Sequence, residues 1–276
     1  MKYKALFTDF DGTLYSDSFT ISEKDIAAIK DYISRGGKFF ISTGRLFTSI
    51  YPYLVGMGVE SDQIIVSQGA EIYDVKTKQP IFTQLMSKEL SYKVIQFVES
   101  YMEKVEEMTA MMYIDEEVYF VDRLEEYRKV FCDILGIPPH ILPGSMWDYL
   151  KGIDKNPSKI LVMTPDENIK DFVEAGQKAL NGEVVFCESR KFLIEIMPSG
   201  IDKGTAVKHV ADSYGIDIDD VICVGDSDND LAMIRVAGLG VATANALDRV
   251  KAEAQYIAPS CNDSPLANII ETFCKD

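Results

Sequence analysis

Two clusters of aspartate stand directly after short apolar runs. Asp9-Phe10-Asp11-Gly12-Thr13 follows Ala5-Leu-Phe-Thr8, and Gly225-Asp226-Ser227-Asp228-Asn229-Asp230 follows Val221-Ile-Cys-Val224. A bare Asp-x-Asp pair arises by chance in a chain this rich in aspartate, so context carries the signal. Two like charges at the end of a buried strand are costly unless a cation or a hydrogen-bond network compensates. Oxygen-only ligands without histidine or cysteine suit Mg²⁺, which takes one or two carboxylates, keeps waters and completes its shell with a phosphate oxygen.

In a parallel sheet, ligands bind beyond the carboxyl ends of the strands. If the two runs are central neighbours in such a sheet, Asp9, Asp11 and Asp226 converge on one metal. Two further segments supply the opposite polarity. Ser42-Thr43-Gly44-Arg45 closes another apolar run, where a hydroxyl and backbone N–H groups at a helix start can hold an anion. Glu195-Ile-Met-Pro-Ser-Gly-Ile-Asp-Lys203-Gly204 brings a lysine to the start of a helix. Asp9 as nucleophile would form an aspartyl-phosphate, splitting one hard displacement into two easier ones. Asp11, on the same face in extended geometry, would protonate the leaving oxygen and then deprotonate the attacking water. Mg²⁺, Lys203 and the Thr43 hydroxyl would offset charge on the phosphoryl oxygens. Other chemistries have less to work with. The two histidines lie in a proline-rich loop (His140) and on a surface helix (His209), and neither a nucleophile elbow, a P-loop nor a dinucleotide fingerprint occurs.

The elements that must position these residues follow from the apolar pattern. Residues 4–9, 38–43 and 63–67 read as strands. They alternate with a helix carrying Ile26, Ile29 and Ile33, capped by Ser22 and stopped by Gly36-Gly37, and with a helix from Leu46. This predicts an α/β fold with a parallel sheet and helices on its faces. From about Ser87 the character changes. A helix leads to two alternating runs over 108–122, a loop-like Gly136–Pro157 rich in proline and glycine, then a strand (159–163), a helix (167–180) and two more strands (183–187, 192–197). That pattern predicts an α+β insert with a partly antiparallel sheet. The first pattern resumes afterwards, so the expected division is a core of 1–84 and 195–276 around an insert of 85–194. Met108, Met111 and Met112 read as adaptable core filling.

The 276 residues include 44 Asp+Glu against 28 Lys+Arg, a net charge of −16, and 47 % are apolar. The apolar share is ample for a core and excludes a disordered chain. The acidity argues against nucleic acid and anionic membranes, but not against a small anionic substrate met by a few local cations. Five scattered cysteines without a C-x-x-C pair read as reduced thiols, and no signal peptide or run of about 18 apolar residues occurs. A cytoplasmic protein is the expectation. The sequence leaves its oligomeric state open.

Taken together, these residues resemble the haloacid dehalogenase (HAD)-like superfamily of Asp-nucleophile phosphatases, and more narrowly its Cof-type branch. That branch carries an α/β cap inserted between the second and third catalytic motifs. The resemblance spans the chain through DFDGT (9–13), STGR (42–45), EIMPSGIDKG (195–204) and GDSDNDLAMI (225–234). It implies a Rossmann-like parallel-sheet core, with the insert as a cap that closes over the site and sets specificity. It also implies Asp9 as nucleophile and metal ligand, Asp11 as general acid/base with its backbone carbonyl on the metal, and Asp226 as the remaining carboxylate on Mg²⁺. The Phe10 backbone, Thr43, Gly44, Lys203 and Asn229 would hold the phosphate. Asp230 would reach the metal through water or orient Lys203, and Arg45 would face the substrate. Three stretches depart from the usual pattern: Gln68-Gly69-Ala70, Val241-Ala-Thr-Ala-Asn245-Ala and Ser260–Leu266.

The activity expected is a Mg²⁺-dependent phosphatase of small phosphorylated metabolites, sugar phosphates being the leading class. A phosphohexomutase on the same core, or a sensor binding phosphate esters without turnover, are the alternatives. Lys151, Lys155, Lys159, Arg190 and Lys191 are candidate contacts in the insert, each otherwise a solvated surface cation.

Overall fold

The computed structural model describes residues 2–121, 123–135, 137–190 and 192–275. The chain divides into two compact units, one made of the residues up to Thr83 with those from Ile201 onward, the other of Gln84–Gly200.

The sheet of the first unit has eight strands. Edge to edge they run Tyr256–Ala258, Leu239–Thr243, Val221–Gly225, Ala5–Thr8, Lys38–Ser42, Gln63–Val66, Glu71–Asp74 and Gln79–Thr83. The first six are parallel, and an antiparallel hairpin of the last two finishes the sheet. Side chains alternate across it. Leu6, Phe39, Ile41, Ile222 and Val224 pack on one face with Ile29, Tyr32, Ile269 and Ile270 of helices Glu23–Ser34 and Pro265–Phe273. Ala5, Phe7, Phe40 and Cys223 pack on the other with Val207 and Val210 of helix Lys203–Ser213. Covering both faces is what lets a parallel strand be continuously apolar. Ser22 caps the first helix by accepting from the Lys24 and Asp25 N–H groups. Inside that helix Asp25 is fully buried, and its Oδ1 accepts from Ala267 N at 2.7 Å, in the first turn of Pro265–Phe273. Its Oδ2 has no hydrogen-bond partner among the described residues. Burial, opposed by the backbone N–H groups of Ala267 and Leu266, pushes this carboxyl up to about 6.

The second unit has a six-stranded sheet ordered Val184–Arg190, Leu193–Pro198, Lys159–Met163, Thr109–Ile114, Glu117–Val121 and His140–Leu142. All pairs are antiparallel except the last, which is parallel. Helices Lys88–Met102, Met146–Lys151 and Asp166–Ala179 bring Val94, Val98, Leu150 and Phe172 onto Met112, Ile160, Val162 and Ile194. Met108, Met111 and Met112 are fully buried, as core filling requires.

Three details differ from the sequence-based expectation. Of the loop-like stretch 136–157, Gly136 lies outside the described residues and the remainder is not merely a loop. His140–Leu142 pairs with Glu117–Val121, and Met146–Lys151 is a helix whose Ser145 cap accepts from Asp148 N. Its Met146 and Leu150 are buried, but a one-and-a-half-turn helix shows too little periodicity to outweigh the surrounding Pro and Gly. The expected boundary at 194/195 falls within strand Leu193–Pro198. That strand pairs on both sides inside the second sheet, which places residues 195–200 with that unit. Finally, Lys159 is not a solvated cation. It is buried, donates to Glu195 Oε2 at 2.5 Å and lies over the Tyr113 ring. Lys155 pairs with exposed Asp115, and Lys151 lies over Trp147. The Lys191 position and the Arg190 side chain lie outside what is described.

Candidate active site

Three neighbouring parallel strands end at one place. Ala5–Thr8 delivers Asp9, whose N–H donates to Val224 O at 2.8 Å, so the chain stays in register with Val221–Gly225 as far as Val224, two residues before Asp226. Lys38–Ser42, on the other side, delivers Thr43. Helix Lys203–Ser213 opens with a capping box. Asp202 accepts from Thr205 N at 2.7 Å while Thr205 Oγ1 takes the Asp202 N–H at 3.2 Å. That cap fixes the position of the next residue, Lys203.

Lys203 is fully buried and donates to two carboxylates, Asp9 Oδ1 at 2.5 Å and Asp230 Oδ1 at 2.7 Å. Asp230, also fully buried, uses Oδ2 to accept from the N–H groups of Asp226 (2.9 Å) and Ser227 (3.0 Å). Asp226 is held by hydroxyls: Thr13 Oγ1 donates to Oδ1 at 3.1 Å and Ser227 Oγ to Oδ2 at 3.0 Å. Asp9, Asp226 and Asp230 each offer a carboxylate oxygen within 4.8 Å of the others. Gly12 makes that approach possible. Its φ is +79°, and a Cβ there would stand 2.8 Å from Asp226 Oδ2.

The electrostatics follow from this crowding. Burial, and then the charges of Asp230 and Asp226 against the opposing Lys203, hold Asp9 well above the usual carboxylate range. Burial, with the charge of Asp230, pushes Asp226 up to about 7 although Ser227, Thr13 and Lys203 act the other way. Burial works against the Lys203 charge, yet Asp230 and Asp9 raise its pKa. One lysine among three converging carboxylates leaves negative charge uncompensated, and every donor is a hard oxygen. A divalent cation such as Mg²⁺ fits that donor set.

The other expected residues are distributed as follows. Asp11 lies beside the cluster, but its carboxylate turns to Arg45, which clasps it with Nε (2.8 Å to Oδ2) and Nη2 (2.7 Å to Oδ1). Arg45 is buried in a cage of rings, 4.9 Å from the Phe10 centroid, 5.5 Å from Tyr53 and 5.6 Å from Tyr15. Arg45 therefore faces Asp11 and aromatic carbon. Phe10 is wholly buried, and its carbonyl accepts from Tyr15 N at 2.7 Å. Thr43 is buried, with Oγ1 accepting from Arg45 N at 3.1 Å, and Gly44 lies between them. Asn229 donates from Nδ2 to Gln68 Oε1 at 3.1 Å.

Thr13, Ser227, Gln68 and Asn245 also belong to this neighbourhood, and the sequence reading gave none of them a role. Asn245 donates to Gly12 O at 2.8 Å and accepts from Cys261 N at 2.8 Å, tying the loop after Asp11 to the C-terminal segment. The sequence shows only their placement, Thr13 and Ser227 inside the two aspartate clusters and Gln68 and Asn245 each two residues after a strand, and not the distant partners they meet.

Comparison with known proteins adds to the geometry. Residues 6–270 match the family described as haloacid dehalogenase-like hydrolase. YxeH of Bacillus subtilis (strain 168) is 28 % identical over 277 residues, covering 97 % of each chain. From the same organism, the 5-amino-6-(5-phospho-D-ribitylamino)uracil phosphatase YwtE is 27 % identical over 292 residues, again 97 % of each. Among solved structures, the HAD subclass IIB sugar phosphatase BT4131 superposes with a TM-score of 0.83 at 21 % identity, covering 98 % of this chain and 99 % of that one; it shares the fold.

Proposed function

This chain belongs to the haloacid dehalogenase-like hydrolase family and is a phosphoric monoester hydrolase, and from that premise we propose a Mg²⁺-dependent phosphatase of small phosphorylated metabolites. The observation that carries the proposal is the convergence of Asp9, Asp226 and Asp230 at the ends of adjacent strands, with buried Lys203 bonded to Asp9 and Asp230. Sugar phosphates are the leading substrate class. The similarity to a 5-amino-6-(5-phospho-D-ribitylamino)uracil phosphatase, named for a phosphorylated ribityl group, supports that choice.

In this proposal an Asp9 carboxylate oxygen attacks phosphorus and the bond to the leaving oxygen breaks, giving an aspartyl-phosphate. Asp11 gives its proton to the leaving oxygen, then takes one from the water that attacks the same phosphorus and frees Asp9 with inorganic phosphate. To do so, Asp11 must loosen its two-point pair with Arg45, so Arg45 sets how readily the acid/base reaches the leaving group. Lys203, the Thr43 hydroxyl, Asn229 and the backbone at Phe10 and Gly44 hold the phosphoryl oxygens. Asp9, Asp226 and the Asp11 backbone carbonyl would hold Mg²⁺, which supplies Lewis-acid stabilisation of phosphoryl charge. Both oxygens of Asp230 already accept, from Lys203 and from two backbone N–H groups, which suits orienting Lys203 better than ligating a metal.

The test is phosphate release from p-nitrophenyl phosphate and a panel of sugar phosphates, with Mg²⁺ or with EDTA. Wild type is expected to turn over only with Mg²⁺, and Asp9→Asn to lose at least about a thousandfold. Turnover retained in EDTA or in Asp9→Asn would refute the mechanism. Phosphoryl transfer between hexose positions without net release would make the enzyme a mutase.

A further inference from the structure

We infer that Gln68 is a positioning residue for the phosphate, holding the Asn229 amide so that it turns an N–H toward the phosphoryl oxygens. The inference rests on the phosphatase proposal and extends it to a residue outside the motifs that suggested it. Ser67 and Gln68 are consecutive non-glycine residues in the left-handed region, with φ of 50° and 60°. Such backbone persists only where the surroundings over-determine it, and here three surroundings do. Ser67 N donates to Arg45 O and Gln68 N to Thr43 O, both at 3.0 Å, which fastens the turn to the Thr43–Arg45 loop. Gly69 lies so close to the start of the Lys203 helix that a Cβ would stand 2.4 Å from the Asp202 carbonyl oxygen. The Gln68 side chain, buried within the turn, meets Asn229. One turn thus touches three of the segments that the proposal assigns to the phosphate, the Thr43–Gly44 loop, the start of the Lys203 helix and Asn229.

The polarity of the Gln68–Asn229 contact decides what the Asn229 amide has left to offer. Asn229 Nδ2 donates to Gln68 Oε1, which leaves the buried Asn229 Oδ1 with no hydrogen-bond partner among the described residues. A side-chain amide carries a donor and an acceptor of nearly equal size on one plane. Reversing both amides keeps the packing and one hydrogen bond, now from Gln68 Nε2 to Asn229 Oδ1. It also moves Asn229 Nδ2 to the unpartnered position, and a donor is what an anionic oxygen requires. Phosphate binding drives the reversal because it supplies the partner that this position otherwise lacks.

The test compares wild type with Gln68→Met, Gln68→Asn, Asn229→Ala and the Gln68→Met/Asn229→Ala double variant. Gln68→Met keeps length without an amide. Gln68→Asn suits the left-handed backbone but is one methylene too short to reach Asn229. Inorganic phosphate is titrated calorimetrically in MgCl₂, and KM and kcat are measured with p-nitrophenyl phosphate. Gln68→Met and Gln68→Asn are each expected to weaken phosphate affinity and raise KM by about tenfold, with a smaller fall in kcat. Asn229→Ala, which removes the phosphate contact itself, is expected to weaken affinity at least as far and to lower kcat as well. The double variant is expected to be no weaker than Asn229→Ala alone, because Gln68 acts through Asn229. Wild-type phosphate affinity in Gln68→Met or Gln68→Asn, or losses that multiply in the double variant, would overturn the inference. Failure of the phosphatase proposal would show separately, as wild-type enzyme without Mg²⁺-dependent turnover.

Discussion

Lys203, itself fully buried, donates to two carboxylates, and such a group is both a stabilising partner and a constraint. Removing one member of a buried charged set leaves the others uncompensated. Lys203→Ala is therefore expected to lower metal-free stability by about 3 kcal/mol, read by urea unfolding in EDTA, and to abolish turnover. A variant as stable as wild type would mean that Asp9 and Asp230 shed their charge without penalty. Lys203 was legible in the sequence because a lysine at a helix start, beside two acidic strand ends, has a chemical use. Thr13 and Gln68 were not. Their partners Asp226 and Asn229 lie 213 and 161 residues away, and no local pattern encodes such a pairing. For Arg45 the sequence suggested a cation facing substrate. The ring cage and the Asp11 clasp that occupy it depend on Tyr15 and Tyr53, which come from two other stretches of chain.

Helix starts set the geometry one level up. The Asp202 cap both stabilises helix Lys203–Ser213 and aims its first side chain. Asp202→Ala is expected to cost about 1 kcal/mol of stability and to lower kcat as well, whereas a cap remote from the site would affect stability alone. Helix Pro265–Phe273 has a donated cap. Asp25, from another helix, accepts the N–H of Ala267. Because burial raises its folded-state pKa to about 6, above the unfolded value near 4, the fold binds this proton more tightly than the unfolded chain does. The resulting stabilisation is complete below about pH 4 and disappears as pH rises through about 6, some 3 kcal/mol in all. Urea unfolding of wild type and Asp25→Asn across pH 4–7 reads the difference: the wild type loses this increment and the variant does not. Parallel slopes would show that Asp25 titrates normally. Elements of this size were largely readable, since strands such as Val221–Gly225 are uniformly apolar and Ser22 stands where a cap should. His140–Leu142 and Met146–Lys151 were not, because short elements are stabilised by a neighbouring strand and a buried face rather than by their own periodicity.

For the molecule as a whole, the expected arrangement of a parallel-sheet core interrupted by an α+β insert follows from where the apolar pattern changes and resumes. The exact crossover was hidden because strand Leu193–Pro198 is as apolar as a core strand, and only its pairing assigns it. The proposed metal site lies wholly within the first unit, which makes a molecule-wide prediction possible. Hydrogen–deuterium exchange with and without Mg²⁺ should show added protection in peptides spanning residues 5–13 and 221–231, with Gln84–Gly200 unchanged. Uniform protection, or none, would argue against a cation at Asp9 and Asp226. The interrupted sheet also bears on how the chain comes off the ribosome. Strand Ala5–Thr8 gains its Lys38–Ser42 neighbour early, but its other edge waits for Val221–Gly225. Throughout that interval an apolar strand with unpaired backbone groups is open to other nascent chains. The intervening unit pairs only with itself within its own sheet and can complete that sheet first. Assembly of the active site thus waits for Asp226 and Asp230, and a nascent chain that stops short of them holds Asp9 without its partners.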